Sequence, residues 1–143
     1  MPDPRIADLL QSVPGLRLTT EPAELEHYGR DWTRRWTPAP LAIALPGNIG
    51  EVQAVVRWAK ANRVALVPSG GRTGLSGGAV AAKGELVLSL ERMNKVLGFD
   101  AVDRTLTVEA GIPLQLAQDA ARGQGLQYPV DFASRGSCTL GGN

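Results

Sequence analysis

The sequence has little that would tie it to a metal, a membrane or a polyanion. Cys138 is the only cysteine in 143 residues. No intrachain disulfide can form, which fits a reducing compartment. His27 is the only histidine, so no second imidazole or thiol sits at metal-ligand spacing. The net charge is +1. That leaves neither the basic excess of a nucleic-acid binder nor an acidic solvating arm. No apolar run approaches the roughly 18 residues of a membrane span. The opening MPDPRIADLL lacks a charged region followed by a long apolar core, so no signal peptide is expected. A soluble, cytoplasmic protein is the expectation.

What is present is ordinary for a globular domain: 43% hydrophobic and 20% charged residues. A chain of this length buries roughly two-thirds of its unfolded surface on folding. No repeat, low-complexity segment or linker divides it, so residues 1–143 read as one domain. The ending CTLGGN is a turn sequence. It reads as a frayed tail or as a piece of a longer protein.

Apolar spacing predicts a short helix over residues 4–13, ended by Pro14-Gly15, and a further helical turn within 21–30. DWTRRWTPAP reads as an irregular loop or extended segment. LAIALP, residues 41–46, is a buried strand. Asn48 then caps a helix, with Glu51 in capping-box position. Its apolar stripe is Ile49, Val52, Val55, Val56 and Ala59, and it ends near Asn62. VALVP, residues 64–68, is a second strand, and strand–helix–strand within about 30 residues indicates a parallel βαβ unit. ELVLSL, residues 85–90, is another strand. Segments 96–99 and 105–109 pair as a hairpin around Asp103-Arg104. Pro113 opens a last helix at its first position, Leu114, Ala117 and Ala121 face inward, and Gly123 closes it. The fold class is α+β: a small parallel sheet flanked by helices, with additional antiparallel strands.

Five glycines fall between Gly70 and Gly78 in LVPSGGRTGLSGG. The stretch follows the second βαβ strand, at the strand end where α/β folds bind ligands. Glycines there admit positive φ and close backbone approach. Successive N–H groups can form a nest for anionic oxygens. Arg72 adds a charge, and Ser69, Thr73 and Ser76 add hydroxyls. The stretch is neither G-x-x-x-x-G-K-[ST] nor G-x-G-x-x-G. On its own it is either a flexible surface loop or a phosphate cradle.

Three further segments, YGRDWTRRW (28–36), MNKVLGFDAVDRTLTVEAG (93–111) and YPVDFASRGSCTLGGN (128–143), stand in order around it. Together the four resemble the first part of the flavin-binding domain of the FAD-linked oxidases of the vanillyl-alcohol oxidase or PCMH type. The likeness is greatest to the D-2-hydroxyglutarate dehydrogenase, D-lactate dehydrogenase and glycolate oxidase flavoprotein branch. It implies an incomplete PCMH-type FAD-binding domain, with the substrate domain absent from this chain. It implies FAD as cofactor, with contacts at Ser69, Gly70, Gly71, Arg72, Thr73 and Gly74. Further contacts fall at Pro129, Ser134, Gly136, Thr139, Gly141, Gly142 and Asn143. Arg72 departs from the pattern, where His or Asn is frequent; its side chain pairs with a phosphate or points to solvent. Ser137-Cys138 matches the hydroxy-acid branch and implies a 2-hydroxy-acid substrate for the parent protein. Catalytic and metal residues are implied only in the part beyond this chain. A stand-alone nucleotide or phosphate module, or an inactive fragment, remains the alternative.

Gly71 and Gly74 are expected to resist replacement by Val, because a β-branched side chain disfavours positive φ and fills the anion's space. His27 is expected in a surface or packing role and Cys138 as a small, partly buried side chain. Trp58 packs in a core or groove, and Trp32 and Trp36 at an interface. Asp131 suits a cofactor hydroxyl or a turn equally. Arg34-Arg35 is too short for a nucleic-acid patch. Surfaces that would face the missing part are expected to be apolar and to favour self-association.

Overall fold

A computed structural model describes residues 3–143. Its element order begins α1 (Pro4–Ser12), β1 (Arg17–Thr19), α2 (Pro22–Tyr28), β2 (Ala42–Leu45), α3 (Ile49–Asn62) and β3 (Leu66–Ser69). It continues with β4 (Leu86–Ser89), β5 (Val96–Asp100), β6 (Thr105–Val108) and α4 (Leu114–Gly123), then a 3-10 turn at Leu140–Gly142. Among the described residues no helix is long and apolar enough to cross a membrane.

The first sheet has the order β1-β2-β4-β3. β2 and β3 both run parallel to β4, and β1 pairs antiparallel with β2. The βαβ unit is therefore real but not adjacent: β4 is inserted between its two strands. β1 was not expected. Three residues, RLT, with one charged and one hydroxyl side chain give too short a pattern to register.

β2 and β4 are buried along their whole length, as parallel strands covered on both faces are. Alternation divides their side chains. Ala42, Ala44, Leu86 and Leu88 face α1 and α3, where Leu9, Val55, Trp58 and Ala59 complete one core. Ile43, Leu45 and Val87 face the other way, onto Tyr28, Val67 and Ala81. Asn48 caps α3 by accepting from the Glu51 N–H at 2.9 Å. The Glu51 carboxylate accepts in turn from the Gly47 N–H at 2.7 Å. The expected stripe on α3 is corrected: Ile49 (65% exposed) and Val56 face solvent. Trp58 takes their place, its indole N–H bonded to Asp8.

β5 and β6 form the expected hairpin, with an irregularity between Val96 and Gly98. The Asp100 carboxylate accepts from the N–H groups of Val102 and Asp103 and closes the turn. On α4 two boundaries differ from expectation. Pro113 is the N-cap, not the first helical residue, and the left-handed glycine is Gly125 (φ 72), not Gly123. Gln118, not Ala121, joins Leu114 and Ala117 in the buried face.

Candidate functional site

β3 and β4 are parallel and in register, Ser69 opposite Ser89. Their C-terminal ends therefore deliver the Gly70–Gly78 loop and the Leu90–Lys95 turn to one edge of the sheet. That edge is where parallel sheets bind ligands. The loop is fastened at three points. The Asp31 carboxylate, 3% exposed, accepts from the Gly77 N–H at 3.1 Å and from the Thr33 hydroxyl at 2.7 Å. The Trp32 N–H donates to the Gly74 carbonyl at 3.3 Å. The Trp36 ring lies 3.3 Å from the position a Gly77 Cβ would take. The 28–36 segment is thus the outer brace of the glycine loop. The Thr33 hydroxyl and three backbone N–H groups hold the Asp31 carboxyl below its ordinary pKa.

A further fastening comes from the tail. Residues 137–139 cross against the start of the loop, backbone to backbone. A Cβ on Gly71 would stand 2.0 Å from the Ser137 carbonyl oxygen, and one on Gly70 2.3 Å from the Thr139 hydroxyl. The tail is held in turn by the Leu114 N–H on the Cys138 carbonyl and the Leu140 N–H on the Ile112 carbonyl. A Cβ on Gly141 would likewise stand too close to Ala110, 2.6 Å from its Cβ.

Two clefts open on either side of this crossing. One, about 340 Å³, is lined by the loop and by Cys138, Thr139, Gly142 and Asn143. The other, about 440 Å³, is lined by Gly70, Gly71 and Arg72 with His27, Arg34 and Asn94 among others. Both touch Gly70, Gly71, Arg72 and Thr139. The backbone N–H groups of Gly71, Arg72 and Thr73, residues of intermediate exposure, make no hydrogen bond to the described residues. A run of unpaired ones at a glycine turn suits a ligand with several anionic oxygens. The residues present fit a diphosphate-bearing cofactor.

The structure thus brings Ser69, Gly70, Gly71, Arg72, Thr73 and Gly74 together with Thr139, Gly142 and Asn143. It sets Pro129 apart, in a cavity of about 270 Å³ with Gln118, Arg122 and Tyr128. Ser134 and Gly136 shape the turn below the crossing, where the Ser134 carbonyl accepts from the Ser137 and Cys138 N–H groups. Asp131 is exposed and pairs with Arg135 at 2.9 Å. Cys138 is buried, more fully than the partly buried side chain expected.

Two expectations are corrected. Positive φ belongs not to Gly71 or Gly74 but to Arg72 (φ 56) and Gly77 (φ 82). Gly71 needs to be glycine for close approach, and a Cβ on Gly74 would meet nothing within 4 Å. Nor does the Arg72 side chain point to solvent. Its guanidinium donates to the Gly70 carbonyl at 3.0 Å, meets His27 Nε2 at 2.9 Å and lies 4.6 Å over the Tyr28 ring. Burial holds it below the ordinary arginine range. Burial, then Arg72 and Arg30, lower the His27 pKa. Tyr28 donates to Glu91 at 2.6 Å; burial and that bond push its pKa up to about 12.

The chain matches the FAD binding domain over residues 40–143. It belongs to that family. FAD is the cofactor the domain serves, and the loop and crossing described above lie inside the matched region. Among its relatives is a D-2-hydroxyglutarate dehydrogenase of Xanthomonas citri pv. viticola, 77% identical over 143 residues, all of this chain and 30% of that protein. Another, from Stutzerimonas stutzeri, is 51% identical over 145 residues, again all of this chain and 31% of the relative. The chain therefore spans about 30% of the length of these relatives. Among solved structures, an alkyldihydroxyacetonephosphate synthase superposes with a TM-score of 0.85 at 24% identity, over 97% of this chain and 28% of that one. p-Cresol methylhydroxylase superposes with a TM-score of 0.73 at 18% identity, over 94% of this chain and 28% of that one. These likenesses establish the PCMH-type fold for the FAD binding domain found here.

Proposed function

We propose that this chain is the diphosphate-binding part of a flavin-dependent 2-hydroxy-acid dehydrogenase of the D-2-hydroxyglutarate type. The observation that carries the reading is the run of unpaired N–H groups at Gly71–Thr73, at the crossing of two clefts. When bound, FAD supplies a two-electron acceptor for oxidation of a 2-hydroxy acid to a 2-oxo acid. The chain's own residues bind and orient. The loop N–H groups and the Thr73 and Thr139 hydroxyls hold the diphosphate at the crossing, and Ser69, buried beneath the loop, supports it from below through Arg72. Gly74, Gly142 and Asn143 bound the cleft on one side, and Gly141 keeps the tail seated on Ala110. Ser134 and Gly136 set the turn beneath. Pro129 meets the cofactor only in the setting of the longer protein. No residue here is assigned to proton transfer, and the substrate is held by the part beyond this chain. The lone thiol supports a cytoplasmic setting.

Titration of the purified chain with FAD, followed by flavin fluorescence, tests the reading. Saturable quenching by FAD, competition by ADP and little response to riboflavin are expected, because the diphosphate is the group recognised. Equal responses to FAD and riboflavin would assign binding to the ring instead. No response at high FAD would remove cofactor binding from this chain.

A further inference from the structure

Arg72 is the cation nearest the diphosphate cradle, and a direct phosphate contact is the obvious role for it. Its surroundings point elsewhere. The backbone turns through φ 56 at this residue, which sends the side chain back beneath the loop. There the guanidinium is occupied by the chain itself: the Gly70 carbonyl at 3.0 Å, the Ser69 hydroxyl at 3.4 Å and His27 Nε2 at 2.9 Å. Its plane lies over Tyr28, and Tyr28 is fixed by its bond to Glu91. No carboxylate pairs with Arg72 among the described residues. A planar fork can serve a carbonyl, an imidazole and an aromatic face together, and a lysine ammonium cannot.

We propose that the Arg72 side chain is a positioning group for FAD, shaping the glycine loop from behind through Gly70, His27 and Tyr28, and that its guanidinium, unlike its backbone N–H, does not donate to the diphosphate. The inference rests on the FAD reading above. It requires His27 to be the neutral acceptor of an Arg72 N–H. The charged or titratable groups around that imidazole are Arg72, Arg30, Glu91 and, on its own helix, Glu24 and Tyr28.

The test compares the purified wild-type chain with R72G and R72K. Glycine keeps the left-handed turn without strain and deletes the side chain. Lysine keeps the charge and loses the fork. FAD affinity is measured across a salt series. Both variants are expected to bind FAD about tenfold or more weakly, about 1.4 kcal/mol, with the wild-type salt dependence retained. R72K binding within about twofold of wild type, while R72G binds weakly with a shallower salt dependence, would show a direct phosphate contact and overturn the proposal. Wild-type affinity in R72G would overturn it as well.

His27 gives a readout that needs no FAD. As the only histidine, it yields a single imidazole titration by NMR. Its pKa is expected below 6.5 in the wild type and higher in R72G, where the neighbouring cation is gone. An unmoved His27 pKa would overturn the Arg72–His27 contact, and with it the proposal, even if FAD binds. A moved pKa in a chain that binds no FAD would leave that contact standing and refute the positioning role together with the FAD reading.

Discussion

The two ends of this chain are built to different standards of cover. Through β4 the molecule is a finished layer structure, with the central strands β2 and β4 buried on both faces between α1, α3 and the Tyr28 cluster. Beyond Lys95 no residue of the hairpin β5–β6 is buried: β5 is exposed apart from Phe99, and β6 alternates exposed with half-buried side chains. Leu97 is 58% exposed and Val102 91%. A groove of about 470 Å³ runs between Phe99, Leu106, Ala117 and Leu126. A two-stranded hairpin has little stability of its own. The glycine loop lies between these regions: rooted in the finished sheet, and closed by the tail that follows the hairpin and α4. The sheet can fold from its own contacts, whereas the cofactor cradle depends on the less covered half.

The sharpest way to break that contrast is to empty the sheet core. Leu86→Ala is expected to cost about 2–5 kcal/mol, because Leu86 is fully buried. Leu97→Ala should stay within about 0.5 kcal/mol. Urea unfolding checks both, and equal losses would show that the hairpin is as well packed as the sheet.

A smaller effect separates two glycines of one loop. Gly71→Ala places a Cβ against the Ser137 carbonyl. It should cost about 1–3 kcal/mol or unseat the tail, with FAD binding lost in either case. Gly74→Ala meets open space and should be within about 0.5 kcal/mol of wild type. Parallel melting curves and FAD titrations decide between them.

Alkaline pH probes the finished half next. Tyr28 has a raised pKa in the folded chain, about 12 against an ordinary 10.0. The unfolded chain loses that proton first as pH rises. The contribution is therefore complete below pH 10 and is lost as pH climbs toward 12. Tyr28→Phe should remove this part of the alkaline decline in thermal midpoint. Smallest in stability terms, L97D combined with V102D should leave the fold intact but reduce self-association of the chain, read by sedimentation velocity across a concentration series.

The sequence announces the parts of this molecule that repeat a local rule. Asn48 and Glu51 mark the start of α3, apolar runs mark β2, β3 and β4, and Asp103-Arg104 falls in the hairpin turn. What it conceals is long-range. Nothing local says that β4 slips between β2 and β3, or that RLT pairs with β2. Ile49 and Val56 fit a helical stripe, yet the sheet lies under Trp58. In the site, the glycine run by itself left surface loop and phosphate cradle equally open, and only the motifs around it pointed to the cradle. The reason for individual glycines was not legible, because Gly71 is constrained by Ser137, far away in sequence. Asp31 was missed among the site residues for the same cause: its partner Gly77 belongs to another segment, and a lone buried carboxylate in a polar stretch has no periodic signature.

The crossing of Gly71 with Ser137 also sets an order of events during synthesis. All four strands of the first sheet exist once Ser89 has left the ribosome, and they can assemble then. The cradle cannot, because one of its walls is still untranslated until Thr139 emerges. A nascent chain therefore has its scaffold well before its binding site, and FAD in the cell has nothing finished to hold it until the scaffold is already in place.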